Sequence, residues 1–294
     1  MIQRLARTIR QVGLRSAAAM VAQRLLRQRI SGFAGLVPEF SGLRGLEIGG
    51  PSGIFSSHGL VPVYPIASSI DNCNFAPETL WQGAGPEGRS FHFSPDRDPG
   101  LQFFCEASDL SAVHDTYDFL LASHVVEHLA NPLGALDAWK RVLRPGGVMV
   151  LVVPHRDGTF DHRRPLTELP HLAADARAST PESDLGHLPE ILRLHDHRRD
   201  LGAIDPGAFE RRGQNNARNR GLHHHVFDTR LAISMAGLAG LKALAVETRL
   251  PFHVILVLRK GAAADNQAFL EDGAPHMARS PFPTDRAVTR RTSR

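Results

Sequence analysis

The amino-acid sequence predicts an α/β domain built on a largely parallel β-sheet with crossover helices. From Leu43 onward, short apolar runs of strand length alternate with helical patterns, which is typical of parallel strands joined by helices. A glycine-rich turn follows the first apolar run. Acidic residues follow the next two runs, at the positions where the strands of an open sheet end and ligands bind.

Seven apolar runs are the predicted strands. They span residues 43–48, 66–70, 101–105, 117–123, 147–153, 241–247 and 252–258. The helix between the fourth and fifth strands is marked at both ends. Asn131 can cap it, Pro132 suits its first position, and the sequence from Arg144 to Gly147 ends it.

The composition is that of an ordinary globular protein. The chain has 294 residues, of which 42% are hydrophobic and 22% charged, and these values exclude a collagen, a coiled coil or a wholly disordered chain. The two cysteines, Cys73 and Cys105, lack the spacing of a zinc finger or a disulfide framework. No run approaches the roughly 18 to 20 apolar residues that span a bilayer. The composition therefore predicts a cytoplasmic protein.

Positive charge is concentrated at the N-terminus. The whole chain carries a net charge of +4, yet residues 1–40 alone contain seven arginines and one acid, so the remainder is net negative. A nucleic-acid enzyme more often shows a basic face through its folded domain. This distribution therefore argues against DNA or RNA as the main substrate.

The N-terminal segment, residues 1–40, is predicted to contain a basic amphipathic helix. Apolar residues such as Ile2, Leu5 and Ile9 recur at helical spacing between arginines, with an interruption near Gly13. Three interpretations remain open: packing against the following domain, peripheral contact of residues 1–30 with the inner face of a membrane, and a transit peptide.

Two further segments depart from the sheet pattern. Residues 155–225 are polar and rich in histidine and arginine, and we interpret them as an insertion within a domain that spans residues 41–260. Residues 261–294 show no periodicity and are predicted to be a mostly disordered tail.

The strongest local motif is the sequence Gly-Leu-Glu-Ile-Gly-Gly-Pro-Ser-Gly at residues 45–53. It predicts a buried strand that runs into a turn where the backbone can approach a nucleotide-like ligand. The glycines do not match the dinucleotide fingerprint GxGxxG. Glu47, two residues before Gly49, suits a cationic ligand such as a sulfonium or an ammonium group. A tight turn with a purely structural role is the alternative.

Two later acids predict that the motif belongs to a larger site. Asp71 follows the second predicted strand and suits a ribose diol, while Glu106 and Ala107 follow the third and suit an adenine edge. Since parallel strands end at one edge of the sheet, we expect these acids to share a site with Glu47.

Together these motifs resemble those of the class I S-adenosylmethionine-dependent methyltransferases, especially the small-molecule and polysaccharide-associated branch. The segments from Tyr117 to Pro132 and from Val142 to Gly147 also resemble the fourth strand of that family and the turn before its fifth. The resemblance covers about residues 43–154 and the final two strands. It implies a Rossmann-like, mostly parallel seven-stranded sheet with helices on both faces, an antiparallel last strand and a polar insertion after strand 5.

The resemblance also implies S-adenosyl-L-methionine as the cofactor. The implied contacts are Glu47, Gly49, Gly50, Gly53, Asp71, Glu106, Ala107 and Ser123. Two positions depart from the family pattern, because Pro51 replaces the middle glycine and Glu106 stands where aspartate is more usual.

Methyl transfer is an in-line displacement at a sulfonium carbon, so the enzyme mainly aligns the nucleophile and excludes water. A base is needed only where the acceptor is protonated, and histidine suits that role. His155, His128 and His124 follow the fifth or fourth strand and are the candidates. His155 is favoured because it leads from the sheet into the insertion. A capping or structural role is the alternative for each.

The insertion offers a second set of polar groups. Asp161 with one of His223, His224 or His225 could hold a divalent metal that acidifies a hydroxyl group. The side chains of Arg163 and Arg164 match a phosphate or a carboxylate. A helix start with solvated charges is the alternative for this cluster.

The sequence thus predicts a methyltransferase that acts on a hydroxyl oxygen of a small or carbohydrate-type acceptor, as in glycan or glycolipid assembly. One alternative is an NAD-dependent oxidoreductase, which the missing phosphate fingerprint disfavours. The other is a noncatalytic protein that binds the cofactor or serves as a scaffold with the same fold.

Overall fold

The computed structural model describes residues 2–81, 83, 85–200, 205–261 and 265–289. Within these residues one sheet of eight strands has the order β3-β4-β2-β1-β5-β6-β8-β7. The strands are β1 Arg44–Ile48, β2 Ser69–Asn74, β3 Gly88–Phe91, β4 Gly100–Phe104, β5 Tyr117–Ser123, β6 Leu143–Pro154, β7 Leu241–Arg249 and β8 His253–Lys260. The helices are α1 Ile2–Leu25, α2 Phe33–Leu36, α3 Pro132–Val142, α4 Leu169–Ala178, α5 Leu188–Leu194, α6 Pro206–Gln214, α7 Asn216–Asn219, α8 Thr229–Leu238, α9 Gln267–Leu270, α10 Pro275–Ala278 and α11 Pro283–Thr289.

The sheet has the predicted parallel centre. Strand β1 pairs in parallel with β2 and β5, β2 with β4, and β5 with β6, so the carboxyl ends of these five strands share one edge. The last strand, β8, is antiparallel to β6 and β7. These pairings confirm the predicted α/β fold class. The additional strand is β3, which lies at the edge of the sheet and has only Phe91 buried, so its sequence contains no apolar run.

Strand β2 lies further along the chain than predicted. It spans Ser69–Asn74, and its register pairs Leu46 with Asp71 and Ile48 with Cys73. Its polar side chains are buried because they find partners inside the protein: the Asn72 amide group donates to Gln102 Oε1 at 2.9 Å. The apolar pattern ends at Ile70, four residues before the strand does.

Helix α3 begins where its capping residues predict. Asn131 Oδ1 accepts a hydrogen bond from the Gly134 amide at 2.9 Å, and Pro132 occupies the first helical position. Leu136 and Trp139 are fully buried against the sheet. The Trp139 indole Nε1 also donates to the Ala107 carbonyl oxygen at 2.7 Å, which fixes the loop after β4 to this helix.

The two faces of the sheet are covered differently. Helices α3 and α8 pack on one face. The other face is covered largely by aromatic residues from α2 and irregular segments, among them Phe40, Phe55 and Tyr64. Between β1 and β2 the only helical piece is a 3₁₀ turn at Gly53–Phe55. An aromatic-rich loop, and not a long helix, therefore joins these two parallel strands.

The predicted N-terminal helix is present as α1, and Gly13 interrupts it with φ 81° and ψ 158°. Ala17 is buried, and the Gln23 side chain donates to the Leu250 carbonyl oxygen at 2.9 Å, so the second half of α1 contacts the domain. The side chains of Ile2, Leu5 and Ile9 lie outside the described residues. In the part of the chain that the structure describes, no helix has the length and apolar character needed to cross a membrane.

The C-terminal segment is not the predicted disordered tail over residues 265–289. Met277, Phe282 and Asp285 are buried, and the Asp285 carboxylate accepts hydrogen bonds from Thr229 and Ser280. The segment folds as three short helices, α9 to α11, which are too short to give a periodic pattern. Residues 262–264 and 290–294 of this segment lie outside the described residues.

Asp71 is a structural residue of the sheet. Its Oδ1 atom accepts from the Leu101 amide at 2.7 Å, and its Oδ2 atom accepts from the Tyr117 hydroxyl at 2.9 Å and from Arg44 at 2.6 Å. The same Arg44 guanidinium reaches the exposed carboxylate of Asp115 at 2.7 Å. One arginine therefore joins a buried and an exposed carboxylate.

Replacing Asp71 tests this assignment. Asp71→Ala should lower the free energy of unfolding by about 2 to 4 kcal/mol, because the Leu101 amide and the Tyr117 hydroxyl lose their acceptor. Asp115→Ala is the matched control and should cost less than about 1 kcal/mol, since its ion pair is exposed. Urea denaturation measures both, and equal losses would contradict the structural role of Asp71.

Candidate active site

A cavity of about 520 Å³ opens at the carboxyl edge of the sheet, beneath the insertion. Its volume is in the range of small-molecule sites. The sheet contributes the floor, with Ile48, Gly49, Asn74, Glu106, Ala107 and Ser123. The insertion contributes the opposite wall, with Phe160, Asp161, Arg199, Arg212, Arg220 and His223.

The glycine turn after β1 brings backbone to the cavity surface. Gly49 has a φ of 76°, which favours glycine, and a Cβ atom there would lie 3.0 Å from Val125 Cγ2. Its amide donates to the Cys73 carbonyl oxygen at 2.9 Å, which fixes the turn to the end of β2. A side chain at this position would be strained and would fill space at the floor.

Glu47 does not line the cavity. Its buried carboxylate accepts hydrogen bonds from the Tyr64 hydroxyl at 2.6 Å and from the Ser52 amide at 3.0 Å, so it braces the glycine turn from beneath. This corrects the prediction that Glu47 contacts the cofactor. Burial raises the pKa of Glu47 to about 7, despite these two donors.

Gly50 and Gly53 are also absent from the cavity lining. A Cβ atom on Gly50 would lie 2.4 Å from the Glu47 carboxylate, so this glycine makes room for the brace. Gly53 begins the 3₁₀ turn after the motif. Both residues shape the turn, whereas Gly49 and Pro51 of the same motif line the cavity.

Asn74, and not Asp71, ends the second strand at the cavity. Asp71 lies three residues earlier, inside β2, and the structure does not place it in the lining. Among the described residues, the Nδ2 atom of Asn74 is buried without a hydrogen-bond partner. This residue was missed because the apolar pattern stops at Ile70. The pairing of Ile48 with Cys73 shows that residue 74 faces the glycine turn.

Glu106, Ala107 and Ser123 lie at the cavity, as predicted. Glu106 Oε1 accepts from the Arg220 guanidinium at 2.5 Å, and the same guanidinium stacks 5.3 Å above the centre of the Phe75 ring. An arginine of the insertion therefore closes over the ends of β2 and β4. The carboxylate of Glu106 is already paired with it.

His155 is a structural residue, which corrects the prediction that it is catalytic. It is fully buried, and its Nε2 atom lies 3.1 Å from Asp285 Oδ1. Its Nδ1 atom accepts from the Asp157 amide at 3.1 Å, and its ring stacks on Phe282. The C-terminal segment thus covers His155, and this residue does not line the cavity.

His124 and His128 both line the cavity. The Nε2 atom of His124 lies 3.0 Å from His253 Nδ1, and its Nδ1 atom lies 3.4 Å from Glu127 Oε1. His128 has its Nδ1 atom 3.0 Å from the Leu222 carbonyl oxygen, which sets Nδ1 as the protonated nitrogen. Burial lowers the pKa of His128 to about 4, so this imidazole is neutral at pH 7.

His223 and Asp161 form a buried pair that faces the cavity. Their Nδ1 and Oδ2 atoms are 2.5 Å apart, and Arg164 donates to the other carboxylate oxygen at 2.9 Å. Burial opposes both charges, but the contacts with His223 and Arg164 lower the pKa of Asp161 to about 2. Burial likewise opposes protonation of His223, but Asp161 outweighs it and raises the pKa of that imidazole.

The sequence indicated Asp161 and His223 only as members of a possible metal cluster. One ligand atom each from Glu127, His128 and His223 lie within 4.8 Å of one another. These three groups could hold a divalent cation, or they could surround a hydroxyl group directly. Although burial raises the pKa of Glu127, the imidazoles of His124, His128 and His223 outweigh it and lower that pKa.

The arginines predicted for anion binding have other partners. Arg164 is fully buried and bonded within the protein, while Arg163 is half exposed and pairs with Asp196 at 3.1 Å. Neither residue lines the cavity. The positive charge at the cavity comes instead from Arg199, Arg212 and Arg220.

Comparison with known proteins identifies a family. A methyltransferase domain model matches residues 19–200. A ubiquinone biosynthesis O-methyltransferase of Cereibacter sphaeroides (strain ATCC 17025) is 32% identical over 121 residues, which cover 40% of this chain and 44% of that protein. One of Parvibaculum lavamentivorans is 27% identical over 136 residues, covering 45% of this chain and 49% of that protein. The chain spans about half the length of these relatives.

A solved structure is similar as well. An S-adenosylmethionine-dependent methyltransferase from Mesorhizobium loti superposes with a TM-score of 0.43 at 15% identity, covering 77% of this chain and 95% of that one. The family model confirms the resemblance that the motifs indicate.

The buried Glu47 predicts a pH dependence of stability. Its pKa is about 7 in the folded protein and near 4.5 when unfolded, so the folded state holds the proton more tightly. The contribution of Glu47 to the free energy of unfolding should therefore fall by roughly 3 kcal/mol as pH rises through this window. Urea denaturation at pH 5 and pH 8 should show that Glu47→Gln gains stability relative to wild type at the higher pH.

Glu87→Gln, which replaces an exposed carboxylate, is the control and should differ from wild type equally at both pH values. A Glu47→Gln variant that behaves in the same way would show that the buried carboxyl group is not protonated near neutrality.

Proposed function

The chain belongs to the methyltransferase domain family, and we propose that it transfers the methyl group of S-adenosyl-L-methionine to a hydroxyl oxygen of a small acceptor. The observation that carries this proposal is the position of the Asp161–His223 pair. It faces the same cavity as the glycine turn and Asn74. One cavity thus combines a floor suited to the cofactor with a proton acceptor on the opposite wall.

The floor fits the cofactor on two observations. Gly49 presents backbone where a side chain would intrude, and Asn74 Nδ2 is a buried donor without a partner among the described residues. A ribose hydroxyl would satisfy that donor, while Ala107 and Ser123 would flank the remaining parts of the nucleoside. When bound, the cofactor supplies an electrophilic methyl group on a sulfonium centre. Glu47 supports this floor from below and makes no contact of its own.

His223 is the proposed general base. Its Nδ1–H donates to Asp161, which leaves Nε2 free to accept the proton of the acceptor hydroxyl. With the proton held on Nε2, the hydroxyl oxygen would be free to receive the methyl group, and the bond from that methyl carbon to the cofactor sulfur would break, leaving a neutral thioether. The buried carboxylates of Asp161 and Glu127 stabilise the imidazolium that results.

His128 is the proposed positioning residue beside the base. The Leu222 carbonyl oxygen fixes its Nδ1–H, so its Nε2 atom presents an acceptor. The rings of His128 and His223 are 4.6 Å apart between centroids, so both can contact one acceptor hydroxyl. We therefore assign two of the cavity histidines, His128 and His223, to contact with the acceptor.

The rest of the cavity indicates the kind of acceptor. Trp81, Phe160, Phe209 and Phe252 supply flat apolar surfaces, with Arg199 and Arg212 among them. Such a surface suits a small ring that carries hydroxyl groups, whether a phenol or a sugar of a glycan or glycolipid. The printed names of the relatives from C. sphaeroides and P. lavamentivorans describe O-methyltransferases, which supports oxygen as the methylated atom.

We further infer that α1 contacts an anionic membrane surface. Leu14, Val21 and Leu25 are exposed at helical spacing, and Arg15 and Arg27 are exposed beside them. Val12 of the same helix lines the cavity. Membrane contact would therefore place the cavity next to the lipid surface.

Vesicle sedimentation tests this surface. The double variant Val21→Glu, Leu25→Glu should lose most binding to vesicles that contain anionic lipid, because it removes apolar contacts and adds negative charge. Leu238→Glu alters an exposed leucine at the end of α8, away from α1, and is the control. Equal binding by both variants would contradict a membrane role for α1.

The base assignment is tested by His223→Asn. Turnover should fall by about 100-fold or more, the usual effect of losing a general base, while cofactor affinity stays near that of wild type. His162→Asn changes another histidine of the insertion, which pairs with Asp196 outside the cavity, and should keep its activity. Transfer of labelled methyl from S-adenosylmethionine to phenols, catechols and glycans measures turnover.

Two outcomes would contradict the proposal. Wild-type turnover by His223→Asn would remove the base from the mechanism. Methylation of amines but of no hydroxyl-bearing compound would overturn oxygen as the target.

A further inference from the structure

Three histidines outside the cavity meet within the insertion. One ring nitrogen each from His171, His187 and His225 lie within 4.8 Å of one another. The ring centroids are 5.0 Å apart for His171 and His187, 5.5 Å for His187 and His225, and 5.8 Å for His171 and His225. His171 lies on α4, His187 immediately precedes α5, and His225 leads back toward the sheet.

A carboxylate lies beside this cluster. Asp175 is one turn after His171 on α4, so both side chains share a face of that helix. Its Oδ2 atom is 3.3 Å from His171 Nε2 and 3.7 Å from His225 Nε2. The other oxygen accepts from the Thr180 hydroxyl at 3.0 Å, which holds the carboxylate in place.

The hydrogen bonding of the cluster is incomplete. His225 is buried, and its Nδ1 atom has no hydrogen-bond partner within the part of the chain that the structure describes. The Oδ2 atom of Asp175 is buried without a hydrogen bond in the same way. Buried polar atoms are normally satisfied by protein, water or an ion. A positively charged ion would satisfy a carboxylate and neutral imidazoles together.

We propose that His171, His187 and His225 bind a Zn²⁺ ion, with the Asp175 carboxylate as a neighbouring negative charge. Zinc prefers nitrogen and oxygen donors in tetrahedral geometry at about 2.0 to 2.2 Å, which places neighbouring donor atoms roughly 3.3 Å apart. The Asp175–His171 contact already has this length. The three histidine nitrogens lie within 4.8 Å of one another, so binding the ion requires them to move closer together.

The ion would stabilise the insertion, which forms the wall of the cavity opposite the sheet. The insertion has a small apolar cluster of its own, consisting of Leu188, Ile191, Phe209 and Leu222, and small units of this kind commonly need a metal or a disulfide. The three histidines join α4, the start of α5 and the segment after Leu222. The His225 amide also donates to the Glu127 carbonyl oxygen at 3.3 Å, which ties this segment to the cavity. The zinc therefore has a structural role, distinct from methyl transfer.

Metal analysis of the chain purified without a histidine tag tests the proposal. Wild type dialysed against Zn²⁺ and then against buffer should retain one zinc ion per chain, and His171→Ala and His187→Ala should retain none. The variant His114→Ala, which alters an exposed histidine outside the cluster, is the control and should keep the ion. Adding Zn²⁺ to the stripped protein should raise the melting temperature of wild type and of the control, but not of His171→Ala.

The comparison with His128→Ala decides where the ion lies. Loss of zinc in His128→Ala with retention in His171→Ala and His187→Ala would place the metal in the cavity and overturn the proposal. Absence of bound zinc from wild type would overturn it equally. Both readouts are independent of methyl transfer, so failure of the zinc site leaves the proposed activity to its own test.

Discussion

The wall of the cavity depends on the hydrogen bonds that the buried guanidinium of Arg164 donates. Its Nε atom donates to Glu190 at 2.8 Å, its Nη1 atom to Asp161 and to the His223 carbonyl oxygen, and its Nη2 atom to the His224 carbonyl oxygen. A buried charge is tolerated only where its donors are satisfied. This one side chain therefore holds the start of the insertion, α5 and the 223–225 segment in fixed relation, and so aims His223 at the cavity.

Two buried carboxylates of the sheet are likewise stabilised by hydrogen bonds within the protein. Glu47 and Asp71 were predicted to bind the ligand, but both carboxylates accept hydrogen bonds from groups of the protein itself. Glu47 supports the glycine turn, and Asp71 joins β1, β4 and β5 through Arg44, Leu101 and Tyr117. The surface that remains for a ligand is mostly backbone, together with the side chain of Asn74. Rigidity of the floor thus comes from two acids whose carboxylates are bonded within the protein.

Local features of the sequence predicted local structure well. The strand at β5, the capped helix α3 and the glycine turn follow from periodicity and from capping residues, which depend on near neighbours. The end of β2, and with it Asn74, follows less directly. Strand β2 continues through polar residues that are stable only because Gln102 and the glycine turn pair with them. The edge strand β3 has too few buried residues to be recognised.

The roles of the histidines could not be predicted from the sequence, because they depend on contacts between distant parts of the chain. His155 is buried by Asp285, 130 residues later, and His223 is paired with Asp161, 62 residues earlier. Nothing in the local sequence around either histidine distinguishes these two cases. His124 and His128 were identified correctly as cavity residues because they directly follow a strand whose end was predictable.

Calorimetric titration with S-adenosylmethionine tests the central claim, that the floor beside Asn74 binds the cofactor. The account predicts saturable binding of one molecule per chain, weakened roughly 5- to 100-fold in Asn74→Ala by loss of the buried amide donor. NAD in a parallel cell should give no binding heat. Binding of NAD in place of S-adenosylmethionine, or affinity for S-adenosylmethionine that Asn74→Ala leaves unchanged, would contradict this account of the site.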